Sequence, residues 1–592
     1  MNYTLNQVAA EITAALVATN LIAADEIDLA TPKATNVQAD LALPCFRAAK
    51  TRGTNPAQLA QQIASALQFD ADSLIDKAEA AGPYVNFVVN PATFARSVLH
   101  DIQNTGDTYG DSDVGQGKRA IVEYSSPNIA KRMHVGHIRS TIIGQAIANL
   151  YQHLGYEVIR DNHLGDYGKQ FGVNIAATLR FGRTDAEGEA ALEAIEEQYK
   201  RYNALMKGVS ADDPDFDPDA DVDLDDEARA WSLKLEQGDP QAVELWQWMV
   251  DLTKTANQRN YDRLGVHYDV QHGESFYKDL LGEIINDAGE SGIAERDGNA
   301  VIIKDLLDAK GKKLPTFLLQ RSDGGTLYIT RDVATIKYRE DTYAPDYMIY
   351  IVGQPQELHF RQTFATARAL GYSDAELMHV SFGTVFDASG QPLSTRKGNM
   401  VYLETLLNEA RDRAKALIEQ KVAEGKTELS SDQIDQIAEI VGVGAVMYND
   451  LYQDTKRNIT LDWDRMLAFE GNSAPYLQYM YARCCSILRE AGEYAADYDA
   501  TVLIHPAETA LLKELARLPQ IIQEAAERFA PFVVADWLYG TARAFSAFYD
   551  ACSVLKAATP ELRTARLHLV AATAQALKNG LALLSIQAPE RM

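Results

Sequence analysis

Between Glu123 and Ser140 the chain reads Glu-Tyr-Ser-Ser-Pro-Asn-Ile-Ala-Lys-Arg-Met-His-Val-Gly-His-Ile-Arg-Ser, and these residue types at this spacing suit nucleotide chemistry. An apolar, strand-like lead (Ala120, Ile121, Val122, Tyr124) is broken by Pro127, and His134 and His137 then flank Gly136. Ile138, Ile142, Ile143, Ile147, Leu150 and Leu154 follow at helical spacing, so the histidines open an amphipathic helix. A helix N-terminus after a parallel strand offers unpaired N–H groups and a positive dipole to a phosphate. Gly136, lacking a Cβ, lets a flat ring lie against the backbone. His-x-Gly-His on its own serves equally well as a polar helix cap.

A second group stands at Gln391-Pro-Leu-Ser394-Thr-Arg396-Lys397-Gly398-Asn399, after an apolar strand pattern ending near Phe386. Adjacent cations in a glycine-bounded loop can follow charge onto a leaving pyrophosphate, although alone they describe a basic turn.

The segment from Glu123 to Gly144 resembles the signature of class I aminoacyl-tRNA synthetases, and its Ser-Ser-Pro-Asn-Ile-Ala-Lys lead resembles the arginyl-tRNA synthetases in particular. In register with it, residues 391–399 are similar to the second class I signature, Lys-Met-Ser-Lys-Ser, with Pro392 and Thr395 in the two lysine positions. The resemblance implies that Lys131 substitutes for the missing lysine. It leaves open how Lys131, Arg396 and Lys397 divide the catalytic work beside His134 and His137. ATP would meet His134, Gly136, His137, Ser394 and Arg396, and Mg²⁺ would come with ATP, no protein-bound metal being expected.

The same resemblance bears on the amino acid. A guanidinium presents five donors in a planar fork and needs carboxylate, phenol or amide acceptors when buried. Glu123, Ser125 and Asn128 are the implied contacts at the amino and carboxyl end. Glu274, Tyr328 and Asp332 are those of the guanidinium, with Gln356 taking the polar remainder and His359 shaping its loop. Tyr328 and Asp332, four apart, share a face if helical.

Residues 475–483 and the terminal 589–592 resemble the helical anticodon-binding domain of the same family, which implies tRNA contacts at Tyr476, Gln478, Tyr479, Arg483 and the terminal Met592, where exposed aromatics would stack on unpaired bases and arginine take phosphate. Tyr84 and Asn86 on an N-terminal strand would touch the tRNA elbow. Two rival readings remain: a small-metabolite nucleotidyltransferase, and a catalytically silent tRNA-binding relative.

Around these motifs, 592 residues, 46% hydrophobic and 23% charged, allow three or four globular domains. The expected class is α/β. A Rossmann-type doubly wound parallel sheet (114–400, with insertions at about 180–262 and 276–325) follows an N-terminal α+β domain (1–113) and precedes a helical connector (401–465) and an all-α domain (466–592). No strand pattern is evident after 401. Four scattered cysteines and the lack of a basic, apolar leader favour the cytoplasm, and a monomer is expected, with no membrane partner. A net charge of −27 speaks against a nucleic-acid partner. Ten of the 83 acidic residues, however, are concentrated in residues 212–227, where Ala220 and Asp226 depart from a calcium loop and a solvated loop is expected.

Overall fold

The structure is a computed structural model describing residues 2–32, 39–207, 223–393, 401–425 and 428–592. It begins with α1 (Thr4–Ala18). A three-stranded antiparallel sheet follows, in the order β1 (Leu41–Pro44), β3 (Tyr84–Val89), β2 (Ile75–Ala81). Helices α2 (Phe46–Arg52) and α3 (Pro56–Ala66) lie between its strands, and α4 (Pro91–Thr105) leaves it. Asn55 and Asn90 cap α3 and α4, each followed by a proline whose missing N–H is not needed in the first turn. Along β3 the alternation buries Val85, Phe87 and Val89 and leaves Tyr84 outside.

The centre is a four-stranded parallel sheet. β4 (Arg119–Glu123) and β5 (Glu157–Asp161) are joined by α5 (Val135–His153). Helices α6 (Lys169–Phe181), α7 (Gly188–Met206), α8 (Leu224–Glu236) and α9 (Pro240–Leu264) then leave the sheet, with half-buried Trp231, Trp246 and Trp248 packing among them. After α10 (Leu281–Glu290) comes a small antiparallel sheet of β6 (Ala294–Asp297), β7 (Ala300–Ile303) and β8 (Phe317–Gln320). The chain returns through α11 (Tyr328–Tyr343), β9 (Tyr347–Gly353), α12 (Glu357–Ala369) and β10 (Glu376–Phe382). The order is β10-β9-β4-β5, so the strand order reverses at β4, between β5 and β9. Open α/β sheets bind ligands outside the strand ends at such a switch point.

Helix α5 is less amphipathic than its sequence suggests, because fourteen of its nineteen residues are buried. The sheet covers one side, and C-terminal helices cover much of the other. These are α13 (Leu403–Ala423), α14 (Ser431–Leu451), the short α15 (Trp463–Met466), α16 (Ala474–Ala491), α17 (Pro506–Ala516), α18 (Leu518–Glu527), α19 (Phe532–Ala551) and α20 (Pro560–Leu583). One correction concerns strands after 401: β11 (Val385–Phe386) pairs in parallel with β12 (Ile459–Thr460), two residues being too few to leave a periodicity.

Two contacts tie distant regions together. Arg139 of α5, fully buried, is held at 2.9 Å through both Nε and Nη2 by the Asp450 carboxylate of α14, and it also donates to the Arg457 and Thr455 carbonyls. The N-terminal domain rests on the helical C-terminus, where the Tyr109 hydroxyl donates to Leu515 O (3.0 Å) and Asn579 Nδ2 to Gly106 O (2.9 Å). One continuous apolar core consequently runs from Tyr3 to Ile586.

Candidate active site

Strand β4 delivers Glu123 to the switch point, and the backbone then enters a constrained loop. Ser125 (φ 71°), Ser126 (φ 47°) and Ala130 (φ 60°) occupy the left-handed region, which non-glycine residues adopt at a cost unless their surroundings over-determine it. Here they do: Ser125 N–H donates to Ser140 Oγ (2.9 Å), Ser126 N–H to Asn162 Oδ1 (3.1 Å) and Ala130 N–H to Thr253 Oγ1 (3.0 Å). The Ser125 hydroxyl, expected at the amino acid, lies buried between Tyr261 (2.9 Å) and Thr141 (3.0 Å). Asn128 is exposed and lies across Gly165, where a Cβ would collide with its amide oxygen.

Helix α5 opens with a reciprocal cap made by the two histidines. Gly136 N–H donates to His134 Nδ1 (3.0 Å) and His134 N–H to His137 Nδ1 (3.1 Å), with ring centroids 4.0 Å apart. A Cβ on Gly136 would stand 2.9 Å from His134 Nδ1, so the glycine makes room for the ring. Because both Nδ1 atoms accept from the backbone, each neutral ring keeps its proton on Nε2, as a donor. Burial, with the nearby His134 and Lys131 charges, pushes His137 down to about 3, and burial lowers His134 too. Two neutral donors at a helix N-terminus suit phosphate oxygens without proton exchange near neutral pH.

Ser394, Arg396 and Lys397 lie outside the described residues, but the chain on either side is anchored. Leu393 N–H donates to Val385 O (2.9 Å); past the motif, Val135 N–H donates to Val401 O and Leu403 N–H to Met133 O, both at 2.9 Å. Glu196 of α7, which sequence reasoning missed inside a Glu-rich helix, reinforces this junction. Its carboxylate accepts from Arg132 N–H (2.6 Å) and from the Tyr402 hydroxyl (3.1 Å). Lys131 is half-buried with Nζ 5.8 Å from the Tyr199 ring, and its ammonium makes no ion pair among the described residues.

On the amino-acid side, Tyr328 opens α11 and is 65% exposed, while Asp332, one turn on, accepts from His359 Nε2 at 2.5 Å. His359 is therefore a direct partner of Asp332. Burial lowers the His359 pKa, but the Asp332 hydrogen bond and charge outweigh it, leaving the group above its ordinary value. Glu274 already holds a guanidinium, that of Arg331 (2.7 Å), and burial still raises its carboxyl. Gln356 is exposed at the start of α12. Glu123 is 6% exposed and bound to Arg339 (2.7 Å), a residue that sequence reasoning did not select. Beside α12 opens a cleft of about 720 Å³ whose lining includes Lys310, Lys312, Arg361, Arg368 and Lys456.

Of the residues expected at tRNA, Tyr84 is 41% exposed and packs edge-on against exposed Phe46 (5.7 Å), with Asn86 half-buried on the same strand. Tyr476 lies 6.0 Å from Tyr539, Tyr479 is half-buried, and the Arg483 guanidinium covers the Tyr549 ring at 4.2 Å. Gln478 requires correction: it is fully buried, donating to Ile440 O and Gln587 O, and so fixes the C-terminal tail rather than facing solvent. Met592 packs half-buried against the core.

Three family models match the chain: "Arginyl tRNA synthetase N terminal domain" over 6–89, "tRNA synthetases class I (R), catalytic domain" over 99–463, and "DALR anticodon binding domain" over 477–592. An arginine–tRNA ligase of Chloroflexus aurantiacus is 54% identical over the full length of both chains. One from Clostridioides difficile is 39% identical over 93% of this chain and 94% of its own. Among solved structures, the arginyl-tRNA synthetase of Thermus thermophilus superposes with a TM-score of 0.81 at 25% identity, covering 99% of each chain. That of Plasmodium falciparum, at 24% identity and a TM-score of 0.77 over 98% of this chain and 99% of its own, bears on the fold alone.

Proposed function

The chain belongs to the class I arginyl-tRNA synthetases, and from that membership we infer that it joins L-arginine to the terminal ribose of tRNA at the expense of ATP. The arginine carboxylate attacks the α-phosphorus, pyrophosphate leaves, and the ribose hydroxyl then takes the arginyl group from the adenylate. Positioning and charge stabilisation carry such a reaction, with little covalent work for side chains.

The observation that carries this reading is the main-chain junction of residues 133–135 with 401–403. It brings the exit of the second basic motif to the paired histidines. In this reading His134 and His137 donate through Nε2 to phosphate and ribose oxygens, beside Gly136, while Lys131, Arg396 and Lys397 follow the charge onto pyrophosphate. Mg²⁺ enters with ATP. Glu123 and Asn128 take the α-amino and carboxyl end, and Asp332, Tyr328 and Gln356 face the guanidinium. A smaller part for Ser125 and Glu274 is supported by the Ser125 hydroxyl and one Glu274 oxygen being engaged within the chain.

Residues 1–113 would reach the tRNA, 114–400 perform the chemistry, 401–465 connect, and 466–592 read the anticodon, a division supported by the three family models. The cleft beside α12 is lined by five cations against Asp308, Glu357 and Glu376, with Arg361 paired to Asp308, and this modest local excess is where a chain of net charge −27 would offer tRNA a positive field. The reading extends to a cytoplasmic monomer. Four free cysteines fit the reducing compartment, and light scattering of the purified chain tests the oligomeric state.

The deciding experiment is pyrophosphate exchange into ATP with arginine and tRNA present. Arginine-dependent exchange is expected; exchange with no amino acid preference, or none at all, defeats the reading. In this reading the guanidinium site also discriminates against lysine, which would leave acceptors unpaired once the substrate covers them.

A further inference from the structure

Beneath the amino-acid side lie Glu123 (6% exposed), Asp161 (1%) and Arg339 (0%), from β4, β5 and α11. Arg339 Nη2 reaches Glu123 Oε2 at 2.7 Å and Asp161 Oδ2 at 2.8 Å, and its Nε reaches the same Asp161 oxygen at 3.1 Å. Around this triad several buried polar atoms have no hydrogen-bond partner: Asp161 Oδ1, Arg339 Nη1, both His163 ring nitrogens and the Tyr277 hydroxyl. Buried orphan polar atoms are costly and rare in a finished core, so their concentration here marks a floor built to receive a polar group. The groups facing Glu123 are Arg339 and Asp332 from α11, Asp161 and His163 from β5 and the turn after it, Tyr277 from the turn at 274–280, and Tyr350 from β9.

Two carboxylates with one guanidinium between them carry one net negative charge. We propose that Arg339 is a positioning residue which holds Glu123 ionised beside Asp161, so that the triad presents a single negative charge to the α-ammonium of the amino-acid substrate. Without the guanidinium, two neighbouring buried carboxylates cannot both ionise. They share one proton, which keeps the net charge at one but lets the proton sit on Glu123 and strip it of the charge that meets the ammonium. Burial already pushes the Glu123 carboxyl upward, which makes it vulnerable to that loss. With Arg339 present but Asp161 neutral, the floor would carry no net charge. The proposal rests on the reading that Glu123 meets the substrate's amino end.

The test reads the charge count (Asp161→Asn and the double variant) and the ionisation of Glu123 (Arg339→Gln) as KM for arginine in pyrophosphate exchange. Asp161→Asn should raise that KM about tenfold or more, with KM for ATP unchanged, because one buried charge is gone. Adding Arg339→Gln restores the count, so the double variant should return to within about threefold of the wild type. Arg339→Gln alone should give a KM that falls as pH rises from 6 to 9, a slope absent from both the wild type and the double variant; Arg339→Lys, keeping the charge, should lack that slope too. A double variant that binds arginine worse than either single variant overturns the proposal, as does a pH-independent loss in Arg339→Gln. Should the single variants fail to fold, the double variant decides alone: a KM near the wild type supports the proposal, and a KM matching that of Glu123→Gln refutes it. Glu123→Gln separates the two levels. If it leaves KM for arginine unchanged, the amino-end reading is wrong; if it raises KM while the double variant stays impaired, only the charge count is wrong.

Discussion

Asp332→Asn is the sharpest probe of the guanidinium side, because it alters one atom and one charge. In the structure the Asp332 carboxylate spends Oδ2 on His359 at 2.5 Å, and its side chain is about a quarter exposed (23%). An asparagine there can turn its amide N–H toward His359, once the neutral ring carries its proton on Nδ1 and accepts through Nε2, and offer its oxygen to the substrate, so geometry survives and charge does not. A charge-assisted bond is worth about 1.5–3 kcal/mol, and partial exposure moves the loss toward the lower figure. At about 1.4 kcal/mol per tenfold, KM for arginine should rise roughly 10- to 100-fold, nearer the former. The half-buried ion pair itself contributes about 1 kcal/mol to folding, so stability should fall only slightly. Arginine-dependent pyrophosphate exchange at saturating tRNA measures both KM values. A parallel rise in KM for ATP, or an unchanged KM for arginine, would show that Asp332 serves the packing of α11 and that the guanidinium is met elsewhere.

Three further outcomes are expected. Replacing His134 or His137 by Ala should slow adenylate formation by roughly 10²–10³, the scale of one lost transition-state donor, with arginine binding little changed. Because His137 sits at about 3, no step attributable to it should appear in the wild-type rate between pH 6 and 9, and near-normal exchange in both variants would refute the phosphate assignment. Lys131→Met should depress kcat with KM for ATP nearly constant, as should Arg396→Met, and the double variant should cost less than the sum if both serve one phosphate; strict additivity argues for separate roles. The folded-state pKa of His359 lies above its ordinary value, so stability from its pairing with Asp332 is fully present below about pH 6.5 and is lost as pH rises through that higher value. The stability gap between wild type and His359→Gln, measured by denaturant unfolding, should therefore shrink on going from pH 6 to pH 9, and a gap that widens contradicts the pairing.

The histidine motif was legible because its chemistry, its strand and its helix are written in about thirty contiguous residues, each constrained by local physics. Arg339 was not. It stands in Lys337-Tyr-Arg-Glu-Asp341, the composition of a solvated helix face, and only the pairing of β4, β5 and β9 under α11 draws it into the interior. Glu196 was hidden in the same way, since nothing in a Glu-rich helix says which carboxylate meets a loop more than sixty residues upstream in the chain. Gln478 failed in the opposite direction: its neighbours Tyr476 and Tyr479 suggested a surface, but the returning tail at Gln587 closes over it. Local periodicity reports which elements form, whereas burial of a single polar side chain depends on partners that arrive from far along the chain.

The seating of the N-terminal domain on the C-terminal helices has a consequence for how the chain is made. Tyr109 and its partner Leu515 are 406 residues apart, so at roughly 5–20 residues per second the ribosome needs about 20–80 s to supply the second after the first. During that interval the first domain can close its own small sheet, whereas the face of α4 that will meet α17 and α20 waits uncovered. Nascent chains of this protein should therefore depend on a holding chaperone until the last hundred residues emerge, and a genetic split before residue 466 should yield an N-terminal fragment that aggregates unless the helical half is co-expressed.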